Sequence, residues 1–290
     1  MPEAPKQKPH SIEEAIAAGA KWLNAKGIND ARLTCEWLAS SLLKVNRTQI
    51  AFKEEPTEGF LNGFRSGLCR LADGEPVQYV IGEWDFRCLT LTTDKRALIP
   101  RPETEQLVEL VFSEKRLWEN GGPLLYDVGT GSGAIAISLA YERPKCKVVA
   151  VDIEEKALSL AVENAEKCKV RDRISFVHGR NCADAKPGTI DAVISNPPYI
   201  ASKVVDALPR LIRDFEPRTA LDGGDDGLDV YRSLVCDAAI ALKRGGFVFF
   251  EIGDEQGDAV ATLLEEAGFT EIKIFSDFAG KTRFAKGRID

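Results

Sequence analysis

Histidine is almost missing from this chain of 290 residues, which carries only His10 and His178. The seven cysteines, Cys35, Cys69, Cys88, Cys146, Cys168, Cys182 and Cys236, are scattered and never form a C-x-x-C pair. Metal sites draw their ligands from short clustered spacings, so neither a structural nor a catalytic metal is expected, and the odd, dispersed cysteines read as reduced. Long apolar runs are also missing. The polar, proline-bearing segment 1–10 is followed by no apolar core, so neither a membrane span nor a secretory signal is expected and the anticipated location is the cytoplasm. Basic charge is in deficit, with 38 Lys and Arg against 45 Asp and Glu and a net charge of -7. That balance argues against extensive phosphate neutralisation and makes nucleic acid a weaker partner than a protein or small molecule.

The composition that remains, 44% hydrophobic and 29% charged, is that of a globular protein large enough for one full domain and a smaller companion. From residue 11 to about 73, apolar residues recur at helical spacing: Ile16, Ala20 and Leu23, then Leu33, Trp37, Leu38 and Leu42. Ser11 and Glu14 have capping-box spacing, and Gly27, Pro56 and Gly74 punctuate the segments. Residues 1–76 are therefore expected to form a helical domain, either a solubilising appendage or, as we expect, a substrate-docking module. Residues 77–100 carry short β-rich pieces around Phe86, Leu89, Leu91 and Leu98 and suggest a hairpin linker. Pro100 and Pro102 end that run, and Glu103, Thr104 and Glu105 make a suitable first helical turn.

Residues 101–290 form the expected catalytic domain. Strand patterns at 124–128, 147–153, 174–177, 190–195, 247–252, 271–275 and 283–287 alternate with helical patterns at 134–141, 155–168, 227–242 and 255–267. Such alternation predicts a doubly wound, Rossmann-like α/β sheet of seven strands, with one of the last two antiparallel because no helix separates them. Ligands then gather at the carboxyl ends of the central strands.

The first of these strands runs into Asp127-Val128-Gly129-Thr130-Gly131-Ser132-Gly133, where glycine permits unusual dihedrals and close approach of a nucleotide-like ligand. Gly129, Thr130, Gly131, Ser132 and Gly133 are the candidate cofactor loop. The second strand ends at Asp152, placed to accept hydrogen bonds from both hydroxyls of a ribose. Gly129-x-Gly131-x-x-Ala134 fits a dinucleotide fingerprint equally well, so the loop alone leaves S-adenosylmethionine and a dinucleotide both open.

The fourth strand separates them, because it ends in Asn196-Pro197-Pro198-Tyr199. Two prolines fix the backbone and contribute no N–H, so the turn offers carbonyl oxygens, and Asn196 adds a side-chain oxygen. This is a receptor for an NH2 group. An amide or exocyclic amine nitrogen is a poor nucleophile; accepting both its protons orients the nitrogen and draws electron density toward it, as transfer of a methyl group from S-adenosylmethionine requires. Tyr199 can cover the planar group and exclude water. Asn196, Pro197 and Tyr199 are the candidate catalytic residues, and with Pro198 the candidate substrate site.

These segments resemble the release factor glutamine methyltransferases of HemK/PrmC type. The likeness runs from about residue 82 to 286 and includes the I-P-R-P-E-T-E run at 99–105, the glycine loop, Asn196 to Ile200, Phe215-Glu216-Pro217-Arg218, and Leu221-Asp222-Gly223-Gly224 with Asp226-Gly227-Leu228. The resemblance implies S-adenosyl-L-methionine as cofactor, S-adenosyl-L-homocysteine as product, and Gly129 to Gly133, Asp152 and Asn196 at the cofactor. It implies as substrate the glutamine amide in the Gly-Gly-Gln loop of class 1 peptide-chain release factors. The third strand departs from the family pattern: Gly179-Arg180-Asn181 stands where an acid usually meets the adenine amine, and Asn181 is the candidate replacement through its carbonyl. An N6-adenine nucleic-acid methyltransferase, a ribosomal-protein glutamine methyltransferase and a silent binding module are the competing readings.

Overall fold

The computed structural model describes residues 9–52, 55–119, 121–182 and 184–290, so most of the polar N-terminal segment lies outside it. Contacts divide the described chain into two compact units, one reaching Glu83 and including Pro209–Phe215, the other comprising Trp84–Leu208 and Glu216–Asp290.

The first unit is helical: α1 (Ile12–Asn24), α2 (Ala31–Leu43), α3 (Glu58–Ala72) and α4 (Val77–Ile81) enclose a core of Ile16, Leu23, Leu38, Phe64 and Leu68. Ser11 caps α1 by accepting from Glu14 N at 3.1 Å, while Glu14 reaches back to His10 N at 2.7 Å, one residue earlier than a capping box requires. On α2 the buried stripe is Ala31, Cys35, Leu38 and Ala39, spaced i, i+4, i+7 and i+8, and the expected core positions Leu33 and Leu42 face outward. Residues 77–81, expected among β-rich pieces, form a helical turn instead. Pro76 (φ -56°) presets its start, Gly82 (φ +84°) stops it in the left-handed region, and buried Tyr79 anchors it.

The second unit opens with a two-stranded sheet, β1 (Glu83–Phe86) and β2 (Leu89–Thr92), followed by α5 (Pro102–Ser113) and α6 (Lys115–Trp118). The alternating part is β3 (Leu124–Val128), α7 (Ala134–Glu142), β4 (Lys147–Asp152), α8 (Glu155–Lys167), β5 (Ile174–His178) and β6 (Ile190–Ser195). Short helices α9 (Ser202–Val205) and α10 (Arg210–Arg213) precede α11 (Asp229–Ala241), β7 (Leu242–Glu251), α12 (Gly257–Glu266), β8 (Phe269–Ser276) and β9 (Thr282–Ile289). The seven strands run in the order β5-β4-β3-β6-β7-β9-β8, parallel except for β9, which is antiparallel to both neighbours. Strand β7 starts five residues before its apolar run because Leu242 already pairs with Ile190; the glycine pair 245–246 accommodates the register shift that follows.

Both faces of this sheet are covered, which is why its central strands read as continuous apolar runs. Along β6, Ala192 and Ile194 enter one core with Leu107, Val108 and residues of α7, whereas Ile190 and Val193 enter the other with Tyr231, Leu234 and Val260. The chain winds outward from β3 through β4 to β5, then crosses to β6 on the other side. The carboxyl ends of β3 and β6 are thus the topological switch point, where such sheets open a crevice.

Asn164 on α8 ties the hairpin to the glycine loop. Its Oδ1 accepts from Thr92 N at 2.7 Å, and its Nδ2 donates to Thr92 O and Ser132 O, both at 3.0 Å. The side chain is fully buried, so truncation leaves backbone groups without partners. Asn164→Ala is expected to lower the unfolding free energy by about 2–4 kcal/mol. Urea denaturation should show an earlier midpoint at unchanged slope, and an unaltered midpoint would refute this role.

Candidate active site

At the end of β3 the chain turns sharply because Gly129 N and Thr130 N both donate to Val151 O of β4, at 2.9 and 3.0 Å. Gly129, Gly131 and Gly133 have φ of +73°, +56° and +84°, a region in which side chains are strained. Their spatial demands differ. A Cβ on Gly133 would come within 2.8 Å of Ile137 Cδ1 and 3.2 Å of Ala161, so this glycine permits α7 and α8 to pack. A Cβ on Gly129 or Gly131 would meet nothing closer than 4.0 or 3.8 Å, leaving a bare backbone wall. Asp127 holds the loop from beneath, its Oδ2 accepting from Thr130 Oγ1 at 2.6 Å and Ala136 N at 3.0 Å. Burial pushes its carboxyl up to about 7.

Asp152 closes the adjacent strand. Its Oδ2 accepts from Gly131 N at 2.8 Å and its Oδ1 from Glu154 N at 2.9 Å. Burial raises its pKa, while these N–H groups oppose the rise by favouring the ionised form. Each oxygen retains acceptor capacity after one bond.

Strand β6 is fastened to β3 where Ser195 Oγ donates to Val128 O at 2.6 Å, so Asn196 leaves the sheet directly beside Gly129. The side-chain amide of Asn196 is fixed by Nδ2 donating to Thr104 Oγ1 at 3.0 Å. Thr104 Oγ1 in turn donates to Glu251 Oε2 at 2.6 Å. Oδ1 of Asn196 accepts from no donor among the described residues. Tyr199 turns its hydroxyl to Glu251 Oε1 at 3.4 Å, and burial together with the Glu251 charge pushes the phenol up to about 12.

The rest of the turn is buttressed by motifs distant in sequence. Ile200 N donates to Leu221 O and Gly223 N to Ile200 O, at 3.0 and 2.9 Å. A Cβ at Gly223 would lie 2.7 Å from Pro198 O, and one at Gly227 would lie 2.3 Å from Tyr199 O. Gln256 Nε2 donates to Tyr199 O at 3.0 Å and Gly227 O at 3.2 Å. Arg101 pairs with buried Glu216 at 2.6 Å, joining the I-P-R-P-E-T-E and F-E-P-R segments.

These elements enclose a cavity of about 410 Å³. Gly129, Thr130, Gly131, Ser132, Asp152, Asn196, Pro197 and Pro198 line it, together with Arg101, Thr104 and Ile153. Three expected site residues are not in its wall. Gly133 serves helix packing, Tyr199 faces Glu251, and Asn181 donates to Asp237 Oδ2 at 2.7 Å while Arg180 takes the lining position. Only the Nδ2 of Asn181 is thereby bound to a carboxylate on α11; its Oδ1, the atom expected at the adenine amine, is buried without a partner among the described residues, and the residue is not in the cavity wall. Thr104, Glu251 and Gln256 are the functional candidates that sequence reasoning missed. Thr104 lies in the I-P-R-P-E-T-E run, which was a usable signal, whereas Glu251 ends the apolar strand F-V-F-F-E, where an acid ordinarily reads as a solvated strand terminus. Among the described residues no cluster of His, Cys, Asp or Glu could hold a metal ion, and no helix is long and apolar enough to cross a membrane.

The site is thus a glycine-walled cavity with an acid at one strand tip and an amide of defined orientation at another. Residues 14–82 match the PrmC N-terminal domain and residues 114–224 the Methyltransferase small domain. The release factor glutamine methyltransferase of Moorella thermoacetica is 37% identical over 94% of this chain and 96% of its own. That of Caulobacter vibrioides is 38% identical over 96% of each chain, and that of Rhodopirellula baltica 34% identical over 98% of each. The fold is also that of a methyltransferase from Pyrococcus furiosus, with a TM-score of 0.52 at 19% identity over 69% of this chain and 89% of that one. With full-length relatives at this level of identity, the chain belongs to the release factor glutamine methyltransferase family.

Proposed function

We propose that this chain methylates the side-chain amide nitrogen of a glutamine, that of the Gly-Gly-Gln loop of class 1 peptide-chain release factors, using S-adenosyl-L-methionine. The observation that carries this reading is the orientation of Asn196: with Nδ2 committed to Thr104, its Oδ1 is available beside the glycine-walled cavity. Family membership supports the choice of substrate.

The residues present fit the cofactor. Gly129 and Gly131 leave the cavity wall free of side chains, and Asp152 has unused acceptor capacity for two ribose hydroxyls. The volume is within the range of small-molecule sites. When bound, S-adenosylmethionine supplies an electrophilic methyl group on a sulfonium sulfur. What the protein contributes is orientation. Asn196 Oδ1 and the carbonyl oxygen of Pro197, which receives no hydrogen bond among the described residues, accept the two protons of the glutamine NH2. This holds the nitrogen and favours development of positive charge on it. Once alkylated, the nitrogen is strongly acidic and releases a proton to water without a dedicated base. Tyr199 contributes through its carbonyl, which Gln256 and the glycine at 227 hold in place, and through its hydroxyl on Glu251. We also assign substrate docking to the N-terminal helical unit.

Incubation with labelled cofactor, purified release factor and DNA and RNA controls should place the label on the Gly-Gly-Gln glutamine alone; label confined to nucleic acid would overturn the substrate. Asn196→Ala is expected to lower kcat by about 100-fold or more, as loss of a positioned polar group does, with cofactor affinity nearly unchanged; wild-type turnover would exclude the receptor role. Asp152→Ala should weaken cofactor binding by about 10–100-fold, the scale of a lost hydrogen bond to a charged group, as measured by calorimetry. Gly227→Ala forces a Cβ toward Tyr199 O and should lower kcat while the glycine loop still binds cofactor. An unperturbed kcat would show that the turn tolerates displacement.

A further inference from the structure

We propose that Glu251 is a positioning residue that sets the polarity of the amide receptor, acting through Thr104 on Asn196; the inference rests on the amide-receptor reading above. Glu251 follows Phe250, which pairs with Ser195, so the parallel register of β6 and β7 brings it next to Asn196. It is 2% exposed and does not line the cavity, whereas Thr104 does. Contact with substrate is therefore made by Asn196, and Glu251 works from behind.

The argument follows the direction of each proton. An ionised carboxylate only accepts hydrogen bonds, so the single proton of the Thr104 hydroxyl points to Glu251 Oε2, at 2.6 Å. The Thr104 oxygen is then left as an acceptor, and the group it receives is Asn196 Nδ2 at 3.0 Å. That choice turns Asn196 Oδ1 toward the substrate. Without an acceptor at position 251, the Thr104 proton is free to bond Asn196 Oδ1. The amide then rotates by half a turn and presents NH2 to an incoming NH2, donor against donor. An asparagine alone has no preference between these states, and the carboxylate supplies it.

Groups from several elements face Glu251. Arg283 of β9 attracts it and is itself paired with Asp277 at 3.4 Å; Glu103 of α5 repels it; Tyr199 donates to Oε1, with Arg101 near that phenol; and Tyr231 of α11 donates to the Glu251 backbone oxygen at 2.6 Å. Burial outweighs Arg283 and the hydrogen bonds and pushes the carboxyl up to about 7. The protonated acid can itself donate to Thr104, which releases the hydroxyl proton toward Asn196. Productive polarity therefore grows as pH rises through that range.

The test is kcat against pH under saturating cofactor and release factor, with cofactor affinity measured separately by calorimetry. Wild-type protein should show an acid limb with its midpoint at or below about 7, since the bound cationic cofactor favours the ionised carboxyl. Glu251→Leu removes the acceptor and should lower kcat by about 30-fold, a loss on the scale of a misplaced polar group, with cofactor affinity unchanged. Glu251→Gln admits both orientations, so it should fall between wild type and Glu251→Leu and lose the acid limb. Thr104→Ser keeps the hydroxyl and should retain the acid limb. Thr104→Val should lose both, and the double variant with Glu251→Leu should be no worse than either alone, because the two residues form one chain. A wild-type rate in Glu251→Leu, an intact acid limb in Glu251→Gln, or additive losses in the double variant would overturn the inference while leaving the receptor reading in place, provided Asn196→Ala is inactive. Failure of the wild-type protein to methylate the glutamine while binding cofactor would overturn both.

Discussion

The parallel pairing of β3 with β6 is the constraint on which the site depends. It brings together two chain segments separated by about sixty residues, and the Ser195 hydroxyl on Val128 O locks them at the point where both leave the sheet. Gly129 and Asn196 thereby become neighbours: a Cβ on the former would lie 4.0 Å from the carbonyl oxygen of the latter. Any joint action of the glycine loop and the Asn196 turn follows from that adjacency. Because the sheet is buried on both faces, the strands cannot slip without exposing two apolar cores, and the register is set by packing rather than by the site itself.

Around this junction, motifs that look independent in sequence are physical partners. The I-P-R-P-E-T-E run contributes Arg101, which pairs with the glutamate of F-E-P-R, and Thr104, which holds Asn196. The glycine-rich segment from Leu221 to Leu228 has no side chains where the turn carbonyls pass, and a methyl group at 223 or 227 would collide with them. Gln256, one turn beyond the end of β7, closes the arrangement from the opposite side by donating to Tyr199 O and Gly227 O. The turn at 196–199 is therefore not rigid through its prolines alone. Gln256 holds the carbonyl of Tyr199, the glycines at 223 and 227 leave room for the carbonyls of Pro198 and Tyr199, and Thr104 fixes the Asn196 side chain.

Much of this is legible in the sequence. The seven-strand sheet, the antiparallel strand near its end and the positions of the glycine loop and Asp152 follow from apolar alternation and from glycine chemistry, both local properties. What was not legible depends on long-range pairing. Asn181 sits at the expected strand tip, but its amide nitrogen is committed to Asp237, a partner 56 residues away, and the residue stays out of the cavity wall. Tyr199 follows Asn196 by three residues, and alternation along an extended chain sends its hydroxyl to Glu251 and away from the cavity. Residues 77–81 are rich in β-formers, and tertiary burial of Tyr79 between Pro76 and Gly82 overrides that propensity. Glu251 was hidden for a different reason: an acid ending an apolar strand is ordinarily a solvated strand terminus, and only the parallel neighbour on β6 reveals it as buried.

Burial raises the pKa of each of the four acids that surround the site, Asp127, Asp152, Glu216 and Glu251, with Asp127 and Glu251 brought to about 7. A carboxyl whose folded pKa lies above its ordinary value favours the native state while protonated; that contribution is complete in acid and is lost as pH rises through the folded pKa. At neutral pH the fold thus carries Asp127 and Glu251 partly ionised at its own expense, and each of the four carboxyls is tied to hydrogen-bond donors that favour its charged form: Thr130 for Asp127, Gly131 N for Asp152, Arg101 for Glu216 and Thr104 for Glu251. This arrangement makes the acids responsive. A cationic ligand in the cavity favours the ionised form of nearby carboxyls by simple attraction, and the ionised form of Glu251 is the one that turns Asn196 Oδ1 toward substrate. On the proposed function, a cationic cofactor in the cavity and the ionised form of Glu251 would favour each other.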